Sequence, residues 1–132
     1  MLYLDASALV KRYVAEEGSE ELIAAMRAAE DWAICRIGYV ETARAIGLAA
    51  GKRALNRFHA DWPSFEVVEV DASLAEHAAK LTLSEELRSL DALHLAAALL
   101  LPSDKLTLAT WDSRLHQAAQ RQGIGVFPAE LP

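Results

Sequence analysis

The apolar positions of the chain follow two rhythms that alternate along its length. Leu2-Tyr3-Leu4 is a short unbroken apolar run, the pattern of a strand buried on both faces, and from Ala6 to Glu16 the spacing becomes helical. The same switch predicts a strand at Trp32–Cys35 ahead of a helix from Ile37 to about Ala50, which Gly51 ends. It also predicts a β-branched and aromatic strand at Phe65–Val70 ahead of a helix at Leu74–Leu83. A fourth strand at Lys105–Ala109 precedes a helix at Ser113–Gln122, and Val126-Phe127 reads as a short last strand. Between these lie a helix opened by Gly18-Ser19, a helix at Lys52–Asp61 closed by Trp62-Pro63, and an apolar helix at Leu90–Leu101 stopped by Pro102. Ser19 is the expected N-cap of the first, with Glu20 and Glu21 in its first turn, and Ser73 with Glu76 forms the expected capping box of the helix at Leu74. Strands alternating with helices predict an α/β fold: a small parallel sheet covered on both faces, in one domain over residues 1–132.

Four acids do not fit this pattern. Asp5 stands where the first strand hands over to a helix, the edge of a parallel sheet at which ligands bind. Asp112 repeats that position after the fourth strand. Glu41 falls on the stripe Ile37, Glu41, Ala45, Leu48, otherwise the expected buried side of its helix. Asp91 and His94 are the polar side chains of a segment that is hydrophobic all round. Each acid has an ordinary explanation. Asp5 and Asp112 would cap helices, Glu41 would pair with Arg44, and Asp91 would sit on a helix dipole. Were all four to converge, they would repel one another strongly unless a cation joined them. Oxygen-only ligands select a hard ion, Mg²⁺ or Mn²⁺.

Composition narrows the function classes. With 53% hydrophobic and 24% charged residues the chain is not disordered. Its net charge of −6 argues against general attraction to nucleic acid. Yet no acid lies between Glu41 and Asp61, where Arg44, Lys52, Arg53 and Arg57 all fall, a basic stripe that serves either RNA phosphates or solubility. The lone Cys35 excludes an internal disulfide and fits a cytoplasmic protein. The first ten residues lack a basic leader, and the longest apolar run, Leu95–Leu101, is too short to cross a membrane. The histidines show no zinc spacing, there is no G-x-S-x-G elbow, and Gly47 to Arg53 is one residue short of a phosphate loop.

Tyr3-Leu-Asp5-Ala-Ser7, Val40-Glu41-Thr-Ala-Arg44, Arg88-Ser-Leu-Asp91-Ala-Leu-His94 and Thr110-Trp-Asp112-Ser-Arg-Leu occur in an order and spacing that resemble the PIN-domain ribonucleases, specifically the VapC-type toxins of toxin–antitoxin pairs. The resemblance spans essentially the whole chain. It implies a three-layer α/β/α sandwich and metal-dependent hydrolysis of RNA, with Asp5, Glu41, Asp91 and Asp112 as the catalytic, metal-binding acids on Mg²⁺ or Mn²⁺. Within that set it implies Asp5 and Asp91 as direct ligands, and leaves open how Asp112 and Glu41 share the holding of water and the orienting of the nucleophile. It implies Ser7 and Thr110 as hydrogen-bonding residues beside the acids. The implied partners are RNA, a cognate antitoxin and a second copy of the chain. The apolar helix surface carrying Leu9, Val10, Tyr13 and Val14 beside Leu22, Ile23 and Met26 would suit an antitoxin groove, or core packing. Two other functions suit the acids: a haloacid-dehalogenase-like phosphatase with Asp5 as nucleophile, and a non-catalytic module holding a partner's arginine in an acidic pocket. The first lacks the usual second aspartate, since Ser7 stands there.

Overall fold

Strand β1 (Leu2–Leu4) has no residue suited to water, and all three are buried at the centre of a five-stranded sheet. The computed structural model describes residues 1–132, the side chain of Ser103 excepted. β1 pairs in parallel with β2 (Trp32–Cys35) on one side and β4 (Thr107–Ala109) on the other. β3 (Phe65–Val68) lies outside β2 and β5 (Gly125–Phe127) outside β4, both parallel, giving the order β3-β2-β1-β4-β5.

Side chains alternate across the sheet and so divide the core in two. Tyr3, Ala33, Cys35 and Leu108 face a layer made by α5 (Ala72–Ser84), α6 (Ser89–Leu99) and α7 (Ser113–Arg121). Leu2, Leu4, Ile34 and Ala109 face α1 (Ala6–Tyr13), α2 (Ser19–Ala28), α3 (Arg36–Ala49) and α4 (Gly51–Asp61). The result is the expected three-layer sandwich. Because every pairing is parallel, the carboxyl ends of all five strands lie on one edge, and α1, α3 and α7 each start there. Gly38 lets α3 pass close over the sheet, since a Cβ at that position would sit 2.6 Å from the Ile34 side chain and 3.2 Å from the His94 ring.

Several expected boundaries move, each for a local reason. β3 stops at Val68, the residue paired with the last of β2, so Glu69 and Val70 have no neighbour to bond. α1 stops at Tyr13, and the Lys11 ammonium ties the turn after it by bonding the Glu16 carboxylate at 3.0 Å and the Glu17 carbonyl at 2.7 Å. Ser19 does not cap α2. Its hydroxyl accepts from the Glu16 N–H and donates to the Val14 carbonyl, while Gly18, at φ +91°, takes the cap position beneath the Trp111 ring. The Ser73–Glu76 box does not form either, because Asp71, two residues before Ser73, caps α5 by accepting from the Leu74 N–H. α6 ends at Leu99, two residues before the expected stop.

Two burial expectations fail as well. The core face of α3 is Gly38, Thr42 and Ile46, whereas Leu48 is 71% exposed. Glu41 thus stands at the border of the buried face, where a carboxylate can still reach water. The proposed surplus of apolar surface on α1 and α2 is core: Leu9, Tyr13, Leu22 and Met26 are buried against α4 and the sheet, leaving Val10, Val14 and Ile23 partly exposed.

Candidate active site

The sheet edge receives Asp5 from β1 and Asp112 from just beyond β4, and both cap the helices that follow. Capping uses one carboxylate oxygen of each. Asp5 Oδ1 accepts from the Ala8 N–H at 2.9 Å and the Ser7 hydroxyl at 2.7 Å. Asp112 Oδ1 accepts from the Arg114 and Leu115 N–H groups, both at 3.0 Å. The second oxygens turn to side chains. Asp5 Oδ2 accepts from the Thr110 hydroxyl at 2.5 Å, and Asp112 Oδ2 meets the Arg88 guanidinium at 3.0 Å. Cap and site are therefore compatible uses of one residue, divided between its two oxygens.

Thr110 and Ser7 stitch the two strand ends together. The Thr110 hydroxyl, while donating to Asp5, accepts the Asp112 N–H at 3.0 Å. The Ser7 hydroxyl, while donating to Asp5, accepts the Trp111 N–H at 2.9 Å. Thus Asp5, only 4% exposed, has two donors on Oδ1 and one on Oδ2, which satisfies both buried oxygens and leaves one acceptor direction on Oδ2. Burial still pushes its carboxyl above the usual range, against the opposing pull of the His94 ring and of the hydrogen bonds from Thr110, Ser7 and Ala8.

Asp91 lies in the first turn of α6 but makes no hydrogen bond to a helix N–H; among the described residues its partner is Arg88, at 3.3 Å. Burial raises its carboxyl, the neighbouring Asp112 charge raises it further, and Arg88 pulls it back. Arg88 bridges the two acids, with Nε on Asp91 and Nη2 on Asp112.

Glu41 pairs not with Arg44 but with His94, whose Nε2 lies 2.7 Å from its carboxylate. The ring's other nitrogen, Nδ1, is 2.7 Å from the Tyr3 hydroxyl, and that hydroxyl accepts the Cys35 N–H at 3.1 Å. The Glu41 carboxylate only accepts, so the ring carries a proton on Nε2, and with the proton there Nδ1 can accept from the Tyr3 hydroxyl. A buried line of donors from the Cys35 backbone thus ends on the Glu41 carboxylate. The sequence reading did not give His94 or Tyr3 this role. The available signal was His94 itself, a second polar group on an apolar helix one turn from Asp91.

Glu41 and Asp91 face each other across a cleft of about 350 Å³ lined also by Arg88, Ser89 and Leu90. The donor set is all carboxylate oxygen, which fits a hard divalent cation. Among the described residues no three His, Cys, Asp or Glu side chains form a ready-made cage, and Arg88 stands between Asp91 and Asp112. Most of the basic stripe lies beyond α3, on α4, and only Arg44 is within a turn of Glu41. α3 rises ~1.5 Å per residue, so its end, where Lys52 and Arg53 follow, is roughly 12 Å beyond Glu41. Arg57 is partly engaged, donating to the Tyr13 carbonyl at 3.2 Å.

The PIN domain family model matches residues 2–120. Ribonuclease VapC49 of Mycobacterium tuberculosis is 35% identical over 99% of this chain and 97% of its own length, and ribonuclease VapC46 of the same species is 34% identical over 96% and 95%. Among solved structures, a toxin–antitoxin complex from Klebsiella pneumoniae matches with a TM-score of 0.76 at 20% identity, covering all of both chains. The M. tuberculosis sarcin–ricin-loop-cleaving toxin VapC20 matches with a TM-score of 0.76 at 16% identity, again over both full chains. These matches set aside the phosphatase reading, whose missing second aspartate is replaced by a Ser7 already engaged by Asp5 and Trp111. The chain belongs to the PIN-domain family, within its VapC ribonuclease branch.

Proposed function

We propose that this chain is an endoribonuclease that hydrolyses RNA phosphodiester bonds with Mg²⁺ or Mn²⁺, and that it is the toxin of a toxin–antitoxin pair. The observation that carries the reading is the gathering of Asp5, Glu41, Asp91 and Asp112 on one sheet edge, each orientation fixed by a separate partner. A divalent cation held there would polarise the scissile phosphate and lower the pKa of an attacking water. Asp5 and Asp91 would be its direct ligands. Asp112, anchored through one oxygen, and Glu41, oriented by His94, position water at the cleft. Ser7 and Thr110 fix the direction of the Asp5 carboxylate. The non-catalytic reading, an acidic pocket for a foreign arginine, is the weaker one here, because the pocket already holds the chain's own Arg88.

The test is cleavage of RNA by the purified protein. Cleavage is expected with Mg²⁺ or Mn²⁺, to cease with chelator, and to be lost in Asp5→Asn. Equal cleavage in chelator, or in the Asn variant with contaminating nuclease excluded, would overturn the reading. The toxin role takes support from the solved structures of like fold described as a toxin–antitoxin complex and as a sarcin–ricin-loop-cleaving toxin. It places the chain in the cytoplasm, as a homodimer restrained by a cognate antitoxin. No helix among the described residues is long and apolar enough to cross a membrane. Expression alone is expected to arrest growth of the native host, and co-expression of a short neighbouring gene to relieve it; a harmless monomer would count against the role.

Lys52, Arg53 and Arg57, on α4, serve RNA backbone flanking the cut, and Arg44, one turn of α3 from Glu41, serves backbone next to it. Removing Lys52 or Arg53 is expected to lower the slope of log affinity against log salt by about 0.7 per charge, the single-strand value. An unchanged slope in both variants assigns the stripe to solubility.

A further inference from the structure

The place of Arg88 at the site is not explained by fold or capping. It precedes α6 at the N-cap position, where a helix dipole disfavours a cation and where its own side chain makes no cap bond. Its guanidinium is held instead by two acids from different elements, Nε 3.3 Å from Asp91 Oδ2 and Nη2 3.0 Å from Asp112 Oδ2. The arrangement is layered. The Arg88 side chain is 69% exposed, whereas those of Asp91 and Asp112 are 14% and 24% exposed, so the cation lies on the water side of both carboxylates. It also lines the cleft beside Glu41.

We propose that Arg88 is a displaceable counter-ion that exchanges the carboxylates for substrate: a divalent cation held by Asp91, with its water facing Asp112, releases it, and the freed guanidinium binds a phosphate of the RNA at the mouth of the cleft. This rests on the reading above, in which Asp91 holds the metal and Asp112 its water. A bridging guanidinium and a metal ion draw on the same carboxylate charge, and both cannot keep the Asp91 and Asp112 Oδ2 atoms at full strength. Exposed ion pairs are individually weak, so the bridge yields readily to a doubly charged ion. A guanidinium presents forked donors that match two phosphate oxygens, which a lysine at the same position would not. Arg88 thereby screens the repulsion of the acids before the metal arrives, and serves the substrate after it.

The experiment measures Mn²⁺ binding by titration calorimetry without RNA, in wild type, R88Q and D91N, followed by RNA cleavage at saturating Mn²⁺. R88Q is expected to bind Mn²⁺ roughly fivefold more tightly than wild type, since two weak competing ion pairs are removed. Its kcat/KM at saturating Mn²⁺ is expected to fall at least ~10-fold, the value of a charged hydrogen bond. Arg88 is exposed, and a thermal melt verifies that R88Q is folded. Mn²⁺ binding in R88Q no tighter than in wild type, with D91N weakened, overturns the exchange and leaves the metal reading intact. Tighter binding with cleavage undiminished overturns the phosphate role. Mn²⁺ binding in D91N equal to wild type refutes the parent reading itself, and the proposal with it.

Discussion

Asp91→Asn is expected to abolish RNA cleavage while leaving the metal-free fold as stable as wild type or more so. The two halves have different causes. Loss of a metal-ligand charge removes several kcal/mol of transition-state stabilisation, a fall of roughly a hundred- to a thousandfold in kcat. Stability moves the other way because the Asp91 carboxyl in the folded protein is raised by burial and by Asp112. A group raised on folding favours the folded state most below its unfolded value, and that advantage disappears as pH rises through the folded one. At neutral pH the ionised Asp91 is therefore a liability that asparagine removes at equal size. The melting-temperature gap between variant and wild type is expected to widen in the variant's favour from about pH 4 to pH 7 in chelator. Saturating metal should reverse the order, since at a hundred times its dissociation constant a ligand contributes about 2.7 kcal/mol to a protein that binds it. A purely dipolar role for Asp91 at the start of α6 predicts otherwise: a loss of roughly 0.3–1 kcal/mol, the same with and without metal. Parallel melts in chelator and in several millimolar Mg²⁺ separate the two.

What could be read from the sequence, and what could not, follows the range of the interactions involved. The strand-to-helix changes at Asp5 and Asp112 were legible because period and capping are local properties of a few residues. The edge on which both acids fall was legible from parallel topology alone. The caps of α2 and α5 were misplaced because Gly18 and Asp71, one and two residues earlier, offered a better turn and a better acceptor. The partner of Glu41 was not legible for a reason of range. Its local candidate was Arg44, three residues on, but its partner is His94, 53 residues away and brought near by the close passage of α3 at Gly38. Arg88 has no role legible in the sequence, because its meaning depends on Asp112, 24 residues on. A further lesson concerns alternatives. For Asp5 and Asp112 the cap and the functional site were weighed as rivals, whereas a carboxylate has two oxygens and can satisfy a helix with one while the other faces the chemistry.

Thr110→Val tests the buried half of the site, where a single hydroxyl serves both aspartates. Valine keeps the shape and the β-branch, and so suits the extended backbone at the end of β4. It removes the proton donated to Asp5 Oδ2 and the acceptor of the Asp112 N–H. Thr110 is fully buried, so no water replaces either bond without rearrangement. The expected loss is ~1–3 kcal/mol of stability at neutral pH, the range for a hydrogen bond to a charged group. Its pH dependence identifies the cause. Thr110 holds the Asp5 carboxyl down against burial, so its loss lets that group rise further in the folded protein. Below the Asp5 folded value the carboxyl is protonated in both proteins, and only the Asp112 contact is missed. Above it the variant carries a buried charge short of one donor, and the difference in stability reaches its full size. Urea unfolding of both proteins between about pH 4 and pH 7.5, in chelator, should show the gap opening with pH. Cleavage is expected to fall 10- to 100-fold (roughly), the usual effect of removing a hydrogen bond that orients a metal ligand. Thr110→Ser, which restores the hydroxyl without the methyl, should recover most of both. A stability loss that is flat with pH and unrelieved by serine would mean that Thr110 merely fills space beneath the acids, and that Asp5 owes its orientation to Ser7 and the helix cap.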